Sequence, residues 1–463
     1  MLDVLVLVAF LLVLVGIGKW ASRRVHTSLD FHLAGRRLRK LPVALSLAAT
    51  EFSGSGLVGG AGLAYTVGVA GSFWNLSAVP AWLILGFTMA IAFRRLALYT
   101  VPELLGQCYG ERTRILASVT QMMAGTIFLA VQILVSTLAV SALLDVPRLA
   151  TAVIVTGAFV VYTFAGGLLA VVWTDVVCYF VLMAAVVLGV PLALHYVGGW
   201  EGLRQALPAE SFDFGRLGVM EPGGWVALCF VSYGTDQAYL QRVFAARDPS
   251  IARFAYAYTG LNYLVFGGAV ALLGMSAAAL LPGLSHQDEA LPALIQHIFP
   301  PGLRSFFLTA ILATTMSTSS SHLSAGSSVF VKDIYERLLG RKASEARLLR
   351  LSRMATVGIA GIALGLALTA PRVVDAVVVS TLVYHAATFF PIVAGLYWKE
   401  VSPSAGFWSI LAGAGGGLVS HFALYRRVGG LGELHPMFFG PLLSLTVLIW
   451  ITRQQRRHTK EAS

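Results

Sequence analysis

Three ionisable residues lie inside long apolar stretches of this sequence, where charge is otherwise rare. Glu51 is about nine residues into one stretch, Asp175 lies within GGLLAVVWTDVVCYF, and His385 lies in a third. If these stretches are membrane helices, a rise of ~1.5 Å per residue brings Glu51 close to the bilayer centre. Ionisable groups at that depth are costly and commonly bind ions or solutes. The alternative is structural: a hydrogen-bond hub for either carboxylate and a core histidine for His385.

A second polar feature is the hydroxyl-rich segment ATTMSTSSSHLSAGSS at 313–328. One or two Ser or Thr residues in a membrane helix usually bond only to the carbonyl of the preceding turn. This run, however, covers every face of a helix. Na⁺ is a hard cation and prefers oxygen ligands, as other hard cations do. These hydroxyls, combined with free carbonyls from a broken helix, predict a neutral oxygen cage for a cation that must both bind and leave.

The composition is typical of a membrane protein. Hydrophobic residues make up 57% of the 463 residues and charged residues 12%, about half of the ~25% found in soluble domains; mean hydropathy is +0.77. Apolar runs of about 20 residues, enough to cross ~30 Å of hydrocarbon, recur throughout. The first 20 residues lack a cleavage site and are expected to be a retained span. Cys108, Cys178 and Cys229 have no CxxC spacing and suggest neither a metal site nor disulfides.

The apolar runs and the charge distribution together predict a topology. We expect about 13 transmembrane helices with the N-terminus outside and the C-terminus inside, which assigns 26 of the 33 Lys and Arg residues to the inner side. Because Lys/Arg bias sets orientation, the net charge of +11 is a topology signal and does not indicate nucleic-acid binding. The expected spans are 2–20, 42–62, 70–95, 114–143, 149–164, 168–197, 223–240, 254–282, 304–330, 351–370, 373–397, 404–425 and 434–452.

Two of these spans are expected to be broken helices. Backbone polar groups must be paired within the bilayer, so the spans are helices, and irregular backbone is tolerated only where protein or water covers it. The span 42–62 contains the glycine-rich FSGSGLVGGAG, and the span 223–240 contains YGTDQ. They lie five spans apart, which predicts two inverted repeats, 42–197 and 223–397, after an extra helix at 2–20 and before two C-terminal helices at 404–452, in one domain. Paired broken helices point to a midplane site.

A simpler reading of the first glycine cluster is close helix packing, since Gly56 and Gly60 form a small-xxx-small pair. Packing alone does not explain the neighbouring carboxylate, Glu51.

Five segments together carry a family resemblance: ATEFSGSGLVGGAGLAY (49–65), GGLLAVVWTDVV (166–177), GTDQAYLQR (234–242), ATTMSTSSSHLSAGSSVFVKDIY (313–335) and FFPIVAGLYW (389–398). They occur in the order found in the sodium:solute symporter family, and the sequence resembles that family over nearly the whole chain. The family includes sodium/glucose, sodium/proline, sodium/pantothenate and sialic acid symporters. The resemblance implies an all-α fold of the LeuT type with inverted five-helix repeats, a fold in which paired broken helices are known.

The resemblance also implies site residues. The main sodium site falls on the carbonyls of Ala49, Phe52 and Thr314 and the hydroxyls of Ser317 and Thr318. A second sodium, which some members bind, would fall on Asp175, Ser317, Ser320 and Ser321. Glu51 stands where the proline symporter has a functionally important aspartate, and His385 where relatives face their substrate. The expected substrate-pocket residues are Glu51, Ser53, Gly56, Asn75, Asp236, Gln237 and His385.

The solute itself stays open between the sugar, amino acid, pantothenate and monocarboxylate classes. Gly56 and Asn75 stand where the galactose-binding member has sugar-contacting side chains, which argues against the same galactose contacts. The fourth span has no buried arginine, unlike the sialic acid symporter, which argues against sialic acid. The DQ…QR pattern resembles the sugar and monocarboxylate branch, whereas the first glycine cluster and HPMFFGPLLSL resemble the pantothenate member.

We therefore expect a symporter of the inner cell membrane that couples uptake of a small organic solute to sodium by alternating access, with sodium as coupling ion, no other cofactor and the lipid bilayer as its environment. The absence of GxxxxGK[ST] disfavours ATP-driven pumping, and the absence of HExxH and GxSxG disfavours an enzyme. Two rivals are a proton-coupled transporter of the same fold and a non-transporting membrane sensor. The chain ends 11 residues after its last expected span, which disfavours the sensor.

Overall fold

The structure is a computed structural model that describes residues 2–461 except 145, 301, 341–342, 370–372, 399, 426 and 428–433. The described part is 87% helical and contains no strand, apart from one isolated bridge between Leu38 and Ala246. The helices are α1 Leu2–Ser22, α2 Ser28–Leu33, α3 Lys40–Glu51, α4 Gly60–Val67, α5 Phe73–Leu76, α6 Ala78–Phe87, α7 Met89–Leu96, α8 Val101–Tyr109, α9 Glu111–Leu144, α10 Arg148–Val197, α11 Gly199–Ala206, α12 Met220–Tyr233, α13 Gln237–Ala245, α14 Pro249–Leu280, α15 Ala290–Ile298, α16 Leu303–Val329, α17 Glu345–Ala367, α18 Val373–Val383, α19 His385–Tyr397, α20 Pro403–Val419 and α21 Pro436–Glu461, with π-helical segments at Ser55–Gly59, Phe330–Leu338 and Ser420–Leu424.

Within the described residues, nine helical stretches are long and apolar enough to cross a membrane. They are Leu5–Ser22, Ser55–Phe87, Glu111–Ser141, Gly166–Val197, Pro249–Leu280, Glu345–Ala367, Ala376–Tyr397, Pro403–Leu424 and Pro436–Arg457. The difference from the 13 expected spans has physical causes. The second and third expected spans merge into one stretch, and the fifth is a shorter apolar helix. The seventh is broken, and the hydroxyl side chains of the ninth lower its mean hydropathy. The count of 13 and the orientation of the termini stay predictions.

The long helix α10 is two helices that meet at a sharp turn. Gly167 has φ 53° and ψ −148°, a conformation that side chains other than glycine's rarely adopt. A Cβ at this position would also lie 2.4 Å from the carbonyl oxygen of Phe31. The turn falls between the expected spans 149–164 and 168–197.

Both expected helix breaks are present. The first lies at Phe52–Gly54, between α3 and the π-helical Ser55–Gly59, and the second at Gly234–Asp236, between α12 and α13. The hydroxyl-rich helix α16 is buried between α9 and α10 and also contacts α3 and α13, while α14 packs against α3 and α4 on the other side. The polar backbone at the two breaks is thus enclosed by helices, as irregular structure at membrane depth requires.

Candidate functional site

The break after α3 leaves backbone carbonyls without their helical donors. In an uninterrupted helix the N–H of Ser53 would pair with the carbonyl of Ala49. It donates instead to the carbonyl of Glu51, at 2.6 Å. The N–H of Gly56, which would pair with Phe52, donates to Ser53 Oγ at 3.3 Å. The carbonyls of Ala49 and Phe52 are therefore available to another partner.

A hydroxyl of α16 contacts the broken helix between those two carbonyls. Thr318 Oγ1 donates to the carbonyl oxygen of Thr50 at 2.7 Å and lies 3.0 Å from the carbonyl oxygen of Thr314. The N–H of Gly54, the usual helical donor to Thr50, donates to Gln132 Oε1 of α9 at 3.1 Å. Hydrogen bonds to α16 and α9 therefore replace the helical bond between the Gly54 N–H and the Thr50 carbonyl.

Close packing also operates at the break, as the simpler reading of the glycines expected. A Cβ on Gly54 would lie 2.6 Å from Thr315 Cγ2 and 2.9 Å from Val135 Cγ1. Gly56 and Gly60 lie against the side chain of Asn75. The same glycine cluster therefore both interrupts the helix and allows neighbouring side chains to pack closely.

Asp175 lies at the centre of a second polar network on α10. It is fully buried, and its Oδ1 accepts from Ser317 Oγ at 2.6 Å. Its Oδ2 accepts from Ser46 Oγ at 2.5 Å and from Arg242 Nη2 at 2.7 Å. The same Arg242 nitrogen lies 2.5 Å from Ser321 Oγ. The carboxylate is therefore neutralised by a guanidinium that belongs to the protein.

This network contains most of the residues expected for a second sodium, with one unexpected member. Asp175, Ser317 and Ser321 come together, whereas Ser320 Oγ donates to the carbonyl of Ser317 in its own helix at 2.9 Å. Sequence reasoning placed Arg242 among the inner-side cations and in the DQ…QR pattern, but expected no role for it in a site. Its side chain is fully buried, and the pattern GTDQAYLQR, which contains it, was the signal that could have revealed it.

A cavity of about 60 Å³ lies between the two breaks. It is lined by Glu51, Ser53, Ser55, Gly56, Trp74, Asn75, Phe128, Trp225, Leu228, Cys229, Ser232, Tyr233, Asp236, Tyr239, Tyr263, Val377, Ser380, Thr381 and His385. Six of the seven residues expected in the substrate pocket are in this set.

Gln237 is the expected pocket residue that does not line the cavity. Its Oε1 accepts from the N–H of Val101 at 2.8 Å, and its Nε2 donates to the carbonyl of Tyr99 at 3.0 Å. Both ends of the amide bond to the backbone at the start of α8, so Gln237 links α13 to α8.

Asp236 caps α13 and contacts two histidines. Its Oδ1 accepts from the N–H of Ala238 at 2.7 Å. Its Oδ2 lies 3.3 Å from His322 Nε2 and 3.6 Å from His385 Nε2. His385 Nδ1 is 2.8 Å from Thr235 Oγ1. Because His385 is the first residue of α19, this cluster joins the second break to another helix start.

Glu51 lines the cavity from the last turn of α3. Its Oε1 accepts from the hydroxyl of Tyr263 on α14 at 2.8 Å, and that hydroxyl lies 3.1 Å from the Glu51 carbonyl oxygen. Trp74, Trp225, Tyr233, Tyr239 and Tyr263 form an aromatic wall around the cavity. Aromatic residues are ordinary in membrane helices, so no sequence signal distinguished these five.

Paired broken helices around an enclosed polar site are typical of helical membrane transporters. Solved structures share this fold: a Na⁺-coupled sialic acid symporter has a TM-score of 0.85 at 19% identity, covering 97% of this chain and 96% of that one. MhsT in complex with L-phenylalanine has a TM-score of 0.52 at 12% identity, covering 89% of this chain and 98% of that one.

The family follows from sequence. The model of the sodium:solute symporter family matches residues 31–413, and the chain belongs to that family. Similar proteins include the high-affinity proline transporter PutP of Bacillus subtilis (27% identical, covering 94% of this chain and 95% of the relative) and the sodium/pantothenate symporter of Escherichia coli (27%, 96% and 95%). The sodium/glucose cotransporter of Vibrio parahaemolyticus is 24% identical over 77% of this chain and 73% of its own. The protein is thus a multi-pass membrane transporter and not an enzyme.

Proposed function

We propose that the protein imports a small organic solute together with sodium by alternating access. The observation that carries the proposal is the contact between Thr318 Oγ1 and the Thr50 carbonyl, at 2.7 Å. This contact ties α16 to the broken helix between the two carbonyls, of Ala49 and Phe52, that lack helical donors. The relatives, which are sodium-coupled symporters of sugars and pantothenate and a proline transporter, support the same function.

In this proposal the main sodium ion binds the carbonyls of Ala49, Phe52 and Thr314 and the hydroxyls of Ser317 and Thr318. Oxygen ligands suit a hard cation, and all five of these are neutral. The proton of Ser317 Oγ is directed to a carboxylate, which leaves the lone pairs of the oxygen for the ion. The ion would replace the Thr318 hydrogen bond as the link between α3 and α16.

Sodium binding would then couple to solute binding through the angle between the broken helix and α16. The cavity lies on the other side of the same break. A ligand shifts a conformational equilibrium only by its differential affinity for the two states, so sodium must favour the conformation in which the solute cavity is formed. An inward potential of 100 mV adds about 2.3 kcal/mol for each charge that crosses.

A second sodium beside Asp175 and the nearby hydroxyls of Ser317, Ser320 and Ser321 stays a conditional proposal. The Arg242 guanidinium bonds to both Asp175 and Ser321. Two cations sharing one carboxylate repel each other, so a second ion requires Arg242 to withdraw first.

The test is a thermal-shift screen of purified protein against sugars, amino acids, pantothenate and monocarboxylates, in Na⁺ or K⁺ at one pH. Solutes that stabilise the protein are then assayed for uptake into proteoliposomes with equal pH on both sides. Uptake that requires a sodium gradient supports the proposal. Uptake that follows a pH gradient without sodium would favour the proton-coupled rival, and binding without uptake would favour the sensor.

A further inference from the structure

One carboxylate oxygen in the solute cavity has no partner. Glu51 is 6% exposed, and Tyr263 bonds to its Oε1 at 2.8 Å. Its Oε2 makes no hydrogen bond to the residues that the structure describes. The hydroxyls of Tyr233 and Tyr239 approach the same carboxyl group without bonding to Oε2. A buried carboxylate oxygen without a partner is costly, which suggests that a ligand supplies the missing donor.

The other acidic residue of the cavity is in a different situation. Asp236 has a backbone N–H on one oxygen and the imidazoles of His322 and His385 near the other. Its charge is satisfied by the protein itself. Glu51 is therefore the acidic group in the cavity lining whose charge is left for the solute.

Cationic side chains do not compensate Glu51. The residues that line the cavity include no Lys or Arg. The buried guanidinium of Arg242 is directed to Asp175 and Ser321. Because Glu51 is left uncompensated and the lining contains no Lys or Arg, the cavity favours a positively charged group over a neutral or negative one.

The aromatic wall favours the same kind of group. Trp74 and Trp225 face the cavity with ring centroids 5.5 Å apart, edge to face, and Tyr233 and Tyr239 pack edge to face at 5.6 Å. A cation within about 6 Å of such ring faces gains cation–π energy, most where water is excluded.

The Glu51 side chain is contacted by a different helix from the one that contacts the proposed sodium site. The Glu51 side chain is held by Tyr263 of α14, whereas the neighbouring carbonyl of Thr50 is contacted by Thr318 of α16. The proposed sodium ligands thus lie toward α16, and the acidic side chain lies toward the cavity and α14.

Building on the sodium symport proposed above, we propose that the transported solute carries a positively charged amine, whose nitrogen binds Glu51 Oε2 against the aromatic wall. The rest of the solute then lies toward Asn75 and His385, which also line the cavity.

The experiment compares solutes that differ only in this charge. Purified protein in Na⁺ is titrated with L-proline and its carbon isostere cyclopentanecarboxylate, with ethanolamine and its carbon isostere propan-1-ol, and with galactose and pantothenate. We expect amine-bearing compounds to stabilise the protein, and their isosteres to bind about tenfold more weakly or worse. In Glu51→Gln the affinity for the amine should fall by a similar factor, while Tyr263→Phe, which keeps the carboxylate, should retain the preference for the amine.

Two outcomes separate this inference from the proposed function. Sodium-dependent binding and uptake of a neutral or anionic solute, with no response to amines, would overturn the amine and leave symport intact. Amine binding that is identical in Na⁺ and K⁺ would support the amine and contradict sodium coupling.

A second measurement does not require the solute or a Glu51 variant that folds. Cys229 lines the cavity, and Cys108 and Cys178 can be replaced by alanine. Two methanethiosulfonate reagents, one with a trimethylammonium and one with a sulfonate group, are compared at Cys229 after normalisation to a free thiol. We expect the cationic reagent to react about tenfold faster. Equal normalised rates, or a faster sulfonate, would overturn the proposal.

Discussion

Arg242 Nη2 lies 2.7 Å from Asp175 Oδ2, and both side chains are fully buried. The pair joins α13, which follows the second helix break, to α10 of the first half of the chain. Ser46 of α3 bonds to both members, as acceptor from Arg242 Nε at 2.7 Å and as donor to Asp175 at 2.5 Å. Ser321 of α16 contacts the guanidinium. Four helices therefore meet at one ion pair beside the proposed sodium site.

We expect this pair to matter for the stability of the fold, because removing one member leaves the other charge buried and unpaired. Removing one partner of a buried pair typically costs about 3–5 kcal/mol, whereas replacing both costs much less. Asp175→Asn and Arg242→Gln should each lower the thermal unfolding midpoint in detergent strongly, and the double variant should recover much of the loss. The double-mutant cycle measures the coupling.

The control for that cycle is the partly exposed pair Lys332–Glu336, whose atoms are also 2.7 Å apart. An i,i+4 pair of this kind is worth only about 0.3–0.5 kcal/mol. If the single variants at Asp175 and Arg242 are no more destabilised than those of the control pair, the buried pair is not a structural junction.

We expect the number of sodium ions per solute to depend on the same pair. While Arg242 stays on Asp175, we expect wild-type protein in proteoliposomes to carry one sodium per solute, because the carboxylate is already neutralised. Reversal potentials at several sodium gradients give the ratio. A ratio of two would mean that Arg242 leaves Asp175 during the cycle, and Asp175→Asn should then reduce the ratio to one.

The features that sequence reasoning predicted well are local in the chain. Glycines beside polar residues interrupt an apolar run within a few positions, so the breaks at Phe52–Gly54 and Gly234–Asp236 could be expected. The turn at Gly167 falls in the gap between the expected spans 149–164 and 168–197. A run of hydroxyls in α16 is likewise recognisable without any tertiary information.

What sequence reasoning missed depends on contacts between distant residues. Asp175 and Arg242 are 67 positions apart in the sequence. Arg242 follows a predicted span, where a basic residue is usually expected at the membrane surface. Gln237 is adjacent to Asp236 in the sequence, yet its amide bonds to the backbone at Tyr99 and Val101. The rotation of a helix about its axis decides which of two neighbouring residues lines a cavity. In a membrane protein, where most faces of a helix are apolar, the sequence shows no periodic pattern that reveals this rotation.

The glycine at the first break offers a test of packing. In Gly54→Ala the new Cβ would lie 2.6 Å from Thr315 Cγ2 and 2.9 Å from Val135 Cγ1. Both neighbours are β-branched and stiff, so α9 or α16 must move. Overpacking typically costs about 1–3 kcal/mol, and we expect a lower unfolding midpoint together with loss of sodium-dependent uptake. Gly59→Ala is the matched control, since nothing lies within 4 Å of its added Cβ. Equal behaviour of the two variants would contradict the close approach at Gly54.

The last prediction concerns the proposed main sodium site. Ser317→Ala with Thr318→Ala removes two oxygen ligands of the ion and also the bond from Thr318 to the Thr50 carbonyl. Water replaces such ligands poorly in a buried site, so we expect the apparent sodium affinity of uptake to fall about tenfold or more, which corresponds to about 1.4 kcal/mol. Thr318→Ser alone, which keeps both hydroxyls, should retain most of the affinity. Ser276→Ala is the control, because that buried hydroxyl only donates to the carbonyl of Leu272 in its own helix, at 2.8 Å. Sodium activation curves at fixed solute concentration decide the matter: a double variant that superimposes on Ser276→Ala would remove Ser317 and Thr318 from the sodium site.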